Sequence, residues 1–273
     1  PNFFPHYALD HHGYLNVGYM VICLSNIAML HYGLLAEGLT APDSLSWHAR
    51  DLWELVRQLT FDNGRLLRMG GDSRQRYCYC QDYLLPTLWY CAEAFGDERA
   101  AHLEAQALEL LRREQAFNGD GSFLSKRLHR IREENPYYYT RLEADKAVVL
   151  SMNAAWRGLC GRGLAPDGPE AREGADRVSA PAGVSRLRPA GAGLRGQTPD
   201  ADTPVAWHEP EHGAVFVRSA RRFASWSWRA SEPPQGMCLP PDNGHFAEWC
   251  ENMGGSVRVA GGLGDQRLGA AAG

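Results

Sequence analysis

The chain has 273 residues, 44% hydrophobic and 22% charged, an ordinary folded-protein composition with room for one large domain or two smaller ones. A formal net charge of −4 excludes a global basic field that draws a protein to nucleic acid or an anionic membrane, so an acidic ligand needs a local basic patch. Seven cysteines without dense spacing exclude a disulfide-stapled scaffold.

The opening stretch, from Phe4 to Tyr19, places His11, His12, Tyr14, Asn16 and Tyr19 just ahead of an apolar run. No charged-then-apolar leader precedes it, so no signal peptide is visible in this chain. The run from Gly13 to Ala36 carries no Asp, Glu, Lys or Arg. Its length suits a membrane span, but Asn16, Ser25, Asn26 and His31 and the missing basic flanks favour a buried helix from about Tyr19 to Glu37. Thr40, Pro42 and Asp43 predict the capped start of a second helix, with Leu45, Leu52, Leu55, Val56 and Leu59 on one face. The glycine-punctuated stretch from Phe61 to Gln81 holds Arg65, Arg68, Arg74 and Arg76 and reads as a long functional loop.

A third helix is predicted over about Asp82 to Phe95, and a fourth, capped by Asp97, runs to about Gln115 with Leu103, Ala107, Leu110 and Leu111 inward. A second long loop, Phe117 to Thr140, contains the basic run from Lys126 to Arg132 and then Tyr137, Tyr138 and Tyr139. A fifth helix is expected from Arg141 to about Leu159. Two helix pairs with long loops fit a toroid of antiparallel helical hairpins; an irregular bundle fits the same pattern. Residues 1–162 form this helical domain, and 163–204, dense in Gly, Ala, Pro and Arg, read as a linker. Period-two patterning over 213–218 and 223–229 then predicts a hairpin, with Ala224, Trp226 and Trp228 on one face and a third strand at 256–260. Residues 205–260 therefore start an antiparallel β region, and 261–273 read as a disordered tail. The fold class is α+β.

Helical hairpins, a linker and then antiparallel strands resemble the layout of the heparinase II/III-like polysaccharide lyases. Asp10-His11-His12-Gly13 with Tyr19 is similar to the His-Gly…Tyr stretch before an inner toroid helix in that family. Gly70-Gly71-Asp72-x-Arg74 and Gly244-His245-Phe246-Ala247-Glu248-Trp249 are similar to its loop and sandwich segments. The resemblance implies an incomplete (α/α) toroid followed by a partial β-sandwich, the later part of a toroid and the first strands of a sandwich. It also implies a periplasmic or extracellular location and an acidic polysaccharide or oligosaccharide as partner, with no nucleic acid and no membrane.

The implied activity is β-elimination on a uronate-containing glycan. The weakly acidic C5 proton needs a positioned base, and the growing charge on the carboxylate needs donors. His12 or Tyr19 could be the base, Tyr19 could protonate the leaving oxygen, and His11 and Asn16 could hold the carboxylate. Many family members place an asparagine where His11 stands. Arg74 and Arg76 could bind carboxylates or sulfates. Tyr77, Tyr14 and Arg141 are further substrate-binding candidates, and His245 could reach the cleft from the sandwich. Two adjacent histidines before a helix could equally satisfy amides or pack aromatically. No cofactor is expected, although a structural divalent metal can be drawn in the β region from His208, His212 and His245 near Cys238, Asp242 and Cys250. Two rivals share the pattern. A glycoside hydrolase needs a facing carboxylate pair, from Asp10, Asp72, Asp82 and Glu143. A non-catalytic glycan-binding fragment needs none.

Overall fold

Asn16 starts the helical part. Its carboxamide oxygen accepts the Tyr19 backbone N–H at 2.8 Å and caps α1, Val17–Ala36. In the computed structural model, described over residues 3–11, 14–67, 74–161, 205–211, 213–218, 223–227, 235–239, 255–257 and 266–268, this uncharged helix lies at the core. It ends where Gly38 takes φ +70° and Leu39 N–H returns to Leu34 O at 2.9 Å, a left-handed cap that glycine allows. Ahead of it, β1, Asp10–His11, pairs antiparallel with β2, Tyr14–Leu15. α1 is long and apolar enough to cross a bilayer by length and composition. Its buried positions, Met20, Val21, Leu24, Ala28 and Tyr32 among them, join the core cluster.

The second predicted helix is corrected. Thr40 caps nothing: Pro42 leads a 3-10 turn, Asp43–Ser46, and α2 spans only Ala49–Gln58. His48 precedes it in the left-handed region at φ +62°, which interrupts the expected continuous helix. Leu52, Leu55 and Val56 still face inward, with Trp53 fully buried. α3 runs Arg74–Phe95 and starts eight residues before the expected Asp82, so Pro86 is internal to it. Proline removes one intrahelical bond. The turn before it is held from outside: Gln81 accepts from Leu66 N–H, and its amide donates to Gly64 O at 3.4 Å. α4, Glu98–Asn118, has the expected Asp97 cap, which accepts from Arg99 and Ala100 N–H, and buries Leu103, Ala107, Leu110 and Leu111 as predicted. The second long loop is shorter than expected. It contains α5, His129–Glu134, and α6 begins at Pro136, running Pro136–Gly161. A proline in the first turn has no intrahelical bond to lose, so it starts the helix rather than breaking the loop.

Two pairs of contacts give α3 and α6 the same direction. Asp82 meets Lys146, and Trp89 lies under the Arg157 guanidinium at 4.3 Å, so both helices advance together. α1 joins them. Tyr32, near its C-terminal end, stacks on Trp156 at 4.6 Å and meets Tyr90 at 6.2 Å, also near the C-terminal ends of their helices. Antiparallel helices meeting there would overlap over only about ten residues, yet α1 packs against α3 more extensively than any other two elements pack. α1, α3 and α6 are therefore parallel, and their N-terminal ends share one end of the molecule.

Gly64 is the tightest point of the loop between α2 and α3. It has φ +78°, and a Cβ there would lie 2.6 Å from Leu103 O and 2.7 Å from Ala107 N, both backbone atoms of α4. Left-handed strain and overpacking against a fixed helix together predict a loss of about 2–5 kcal/mol for Gly64→Ala. Thermal unfolding checks this: a melting temperature within a degree or two of wild type contradicts the close approach.

Four strands form an antiparallel meander: β3, Val205–Glu209, β4, Ala214–Arg218, β5, Phe223–Ser227, and β6, Gln235–Leu239, in that order. The predicted hairpin is β4–β5; β3 and β6 extend it. Glu209, Ala214, Phe216 and Ser225 lie on the buried face, while His208, Val217 and half-buried Ala224 and Trp226 take the other. The third expected strand is β7, Gly255–Val257, and it pairs with β8, Gln266–Leu268. The segment expected as a disordered tail thus contains a strand. The linker reading falls on residues 163–204, which lie outside the described residues. Helices followed by antiparallel strands make the chain α+β, as expected.

Candidate functional site

The shared end of the three parallel helices carries the helix-borne candidates. Tyr19 lies in the first turn of α1, Arg74, Arg76 and Tyr77 in the first turn of α3, and Tyr137 to Arg141 in the opening turns of α6. The arginines and Tyr77 are therefore helical and not in a loop, as the sequence had suggested. The β1–β2 hairpin stands over the same end, because it leads directly into α1. His11 sits on β1 opposite Tyr14 on β2. Its imidazole packs on the Tyr19 phenol with ring centroids 4.1 Å apart, tilted 41°. Both side chains are half-buried. His12, between the two strands in sequence, His245, and the Gly70-Gly71-Asp72 and Gly244-to-Trp249 motifs lie outside the described residues.

Asn16, expected to hold the carboxylate, is the N-cap of α1. It is fully buried and its oxygen is engaged by the Tyr19 amide, so it fixes where Tyr19 leaves the hairpin. Arg65, from the stretch read as a functional loop, is fully buried with its guanidinium 4.0 Å over the Phe61 ring. Arg141 is half-exposed beside Asp145 at 3.7 Å. Tyr137 is 82% exposed, an open aromatic face at the same end. Tyr139 donates to Glu143 at 2.8 Å, and burial followed by that hydrogen bond pushes its phenol up to about 12. The basic run is held by neighbours: Arg127 pairs with buried Glu114 at 2.6 Å, and Lys126 donates to Phe117 O.

The hydrolase candidates Asp82 and Glu143 are engaged in structure. Glu143 accepts from the Phe123 and Leu124 amides at 2.9 and 2.8 Å and pins the loop after α4. Asp82 is buried against Lys146; burial pushes its carboxyl up to about 6 although the ammonium pulls it down. Asp72 lies outside the described residues, and Asp10 is half-buried on β1.

A second cluster escaped sequence reasoning. His6, Glu209 and Glu211 bring ligand-type atoms within 4.8 Å of one another. His6 Nε2 lies 3.2 Å from Glu209 Oε1, and Glu209 is fully buried. Hydrogen bonding to Glu209, then burial, raises the Glu211 carboxyl. The signal is the Glu-Pro-Glu run, in which Glu209 closes β3 and Glu211 sits in the turn that follows, its N–H donating to the Glu209 carboxylate. His208, expected among metal ligands, is exposed on the opposite face of β3; His212, His245 and Asp242 lie outside the described residues.

No family model matches the chain. No curated protein matches it either, and no solved structure does.

Proposed function

We propose that the chain is a polysaccharide lyase that cleaves a uronic-acid-containing glycan by β-elimination, on the heparinase II/III-like plan. The observation that carries this reading is the gathering of His11, Tyr19 and the starts of three parallel helices at one end. Parallel helices joined by returning ones are the repeating unit of an (α/α) toroid, and the four-stranded meander suits the first sheet of a sandwich. In the reaction His12 takes the C5 proton. The C–H electron pair becomes the C4=C5 double bond, the C4–O bond breaks with its pair on oxygen, and Tyr19 protonates that oxygen. His11 faces the substrate carboxylate and offsets the charge that develops there. Arg74, Arg76, Tyr77 and Arg141 bind neighbouring acidic residues along the same end. The bound partner is an acidic polysaccharide or oligosaccharide, outside the cytoplasm.

The glycoside hydrolase reading loses ground because Asp82 and Glu143 serve the fold. Incubating the full chain with a panel of glycuronans tests the lyase reading. Growth of the absorbance band of an unsaturated uronate is expected with at least one polymer. No product from any of them overturns it. Binding without turnover, unchanged in His12→Ala and Tyr19→Phe, leaves glycan binding as the function.

A further inference from the structure

We infer that His6, Glu209 and Glu211 form a divalent transition-metal site that clasps the segment before the β1–β2 hairpin to the edge strand β3. The three residues come from segments far apart in the sequence. His6 stands five residues before His11, while Glu209 ends β3 and Glu211 follows one proline later. Their placement is rigid. Glu209 pairs with Ala214 in the ladder, and its carboxylate accepts the Glu211 N–H at 3.1 Å. The His6 ring stacks on Phe4 at 5.8 Å, nearly parallel at 14°.

The geometry suits an ion. Bonds of about 2.0–2.1 Å in a tetrahedron separate neighbouring ligand atoms by about 3.4 Å. His6 Nε2 and Glu209 Oε1 are already 3.2 Å apart. Glu211, on an exposed side chain, has only to swing inward from within 4.8 Å. The charges suit it too. Two carboxylates and a neutral imidazole carry −2, which a divalent cation cancels. Glu209 is 0% exposed on the inner face of the sheet, where an anion is costly unless compensated. One imidazole with two carboxylates, and no thiolate, matches zinc with its fourth position open to solvent on the Glu211 side. The site is independent of the lyase reading, since neither His11 nor Tyr19 belongs to it.

The test uses the full chain freed of metal by chelator and titrated with zinc chloride in a calorimeter. Wild type is expected to bind one zinc with micromolar or tighter affinity. His6→Ala and Glu211→Gln are each expected to weaken it at least tenfold. Glu211 is exposed, so Glu211→Gln keeps the fold and remains informative if His6→Ala does not. Cobalt substitution is expected to give a spectrum of nitrogen and oxygen ligands without a thiolate charge-transfer band. Zinc that binds Glu211→Gln as tightly as wild type, a thiolate band, or no binding each overturns the site and leaves an ion pair between His6 and Glu209.

Discussion

Lys146→Met is expected to destabilise the protein by about 3–5 kcal/mol, a large part of the total stability of a domain. Lys146 and Asp82 are 0% and 1% exposed, and they join α6 to α3. Methionine fills most of the volume of the lysine stem, so the loss comes from stranding a buried carboxylate rather than from a cavity. The sign with pH follows. The Asp82 carboxyl is already raised to about 6 by burial, with Lys146 opposing. Removing the ammonium raises it further. A group whose folded pKa exceeds its unfolded value, about 3.9 for Asp, contributes most below that unfolded value and loses its contribution as pH rises through the folded one. The variant's deficit is thus smallest in acid and grows from about pH 4 upward. Asp82→Leu with Lys146→Met removes both charges and is expected to recover most of the loss. Urea unfolding at pH 5 and pH 7 checks all three proteins. A single variant as stable as wild type at both values shows that the pair is not buried as described.

The parts of the fold legible in the sequence are those whose cause is local. The uncharged run of α1, the Asp97 cap of α4 and the alternation of β4 and β5 each announce themselves within a few residues. The errors fall where a residue's effect depends on distant partners. Arg74 to Gln81 read as loop because the stretch before them is glycine-punctuated and arginine-rich; Gln81 reaching back to Gly64 and Leu66 holds the extra turns. Residues 136–140 read as the end of a loop, whereas Pro136 opens α6. The parallel arrangement of α1, α3 and α6 rests on pairs such as Asp82 with Lys146, 64 residues apart, which no periodicity encodes. Around the candidate site the His11–Tyr19 pairing was legible as a polar cluster at a helix mouth. The role of Asn16 was not, because a carboxamide that caps a helix and one that grips a carboxylate are the same chemical group. The meeting of Glu209 and Glu211 with His6 is not legible, because it depends on the turn after β3 and on a partner far away in the sequence.

On the lyase reading, Tyr19→Phe is expected to lower turnover by about 10²–10⁴-fold, the ordinary range for a general acid or base, while thermal stability and glycan affinity hold. Phenylalanine keeps the ring that packs on His11 at 4.1 Å and loses only the hydroxyl. Asn16 supplies the discriminating control. Asn16→Ala removes the Tyr19 amide's acceptor and is expected to cost about 1 kcal/mol of stability as well as activity, because α1 frays where Tyr19 sits. Asn16→Ser restores a capping oxygen but no amide donor. If Asn16 acts only by positioning Tyr19, serine recovers both stability and turnover. If serine recovers stability alone and KM for the glycan stays high, Asn16 touches the substrate after all, and the burial of its side chain no longer describes the bound state. Tyr19→Phe with undiminished turnover removes the phenol from the chemistry, leaving both proton transfers to the histidines.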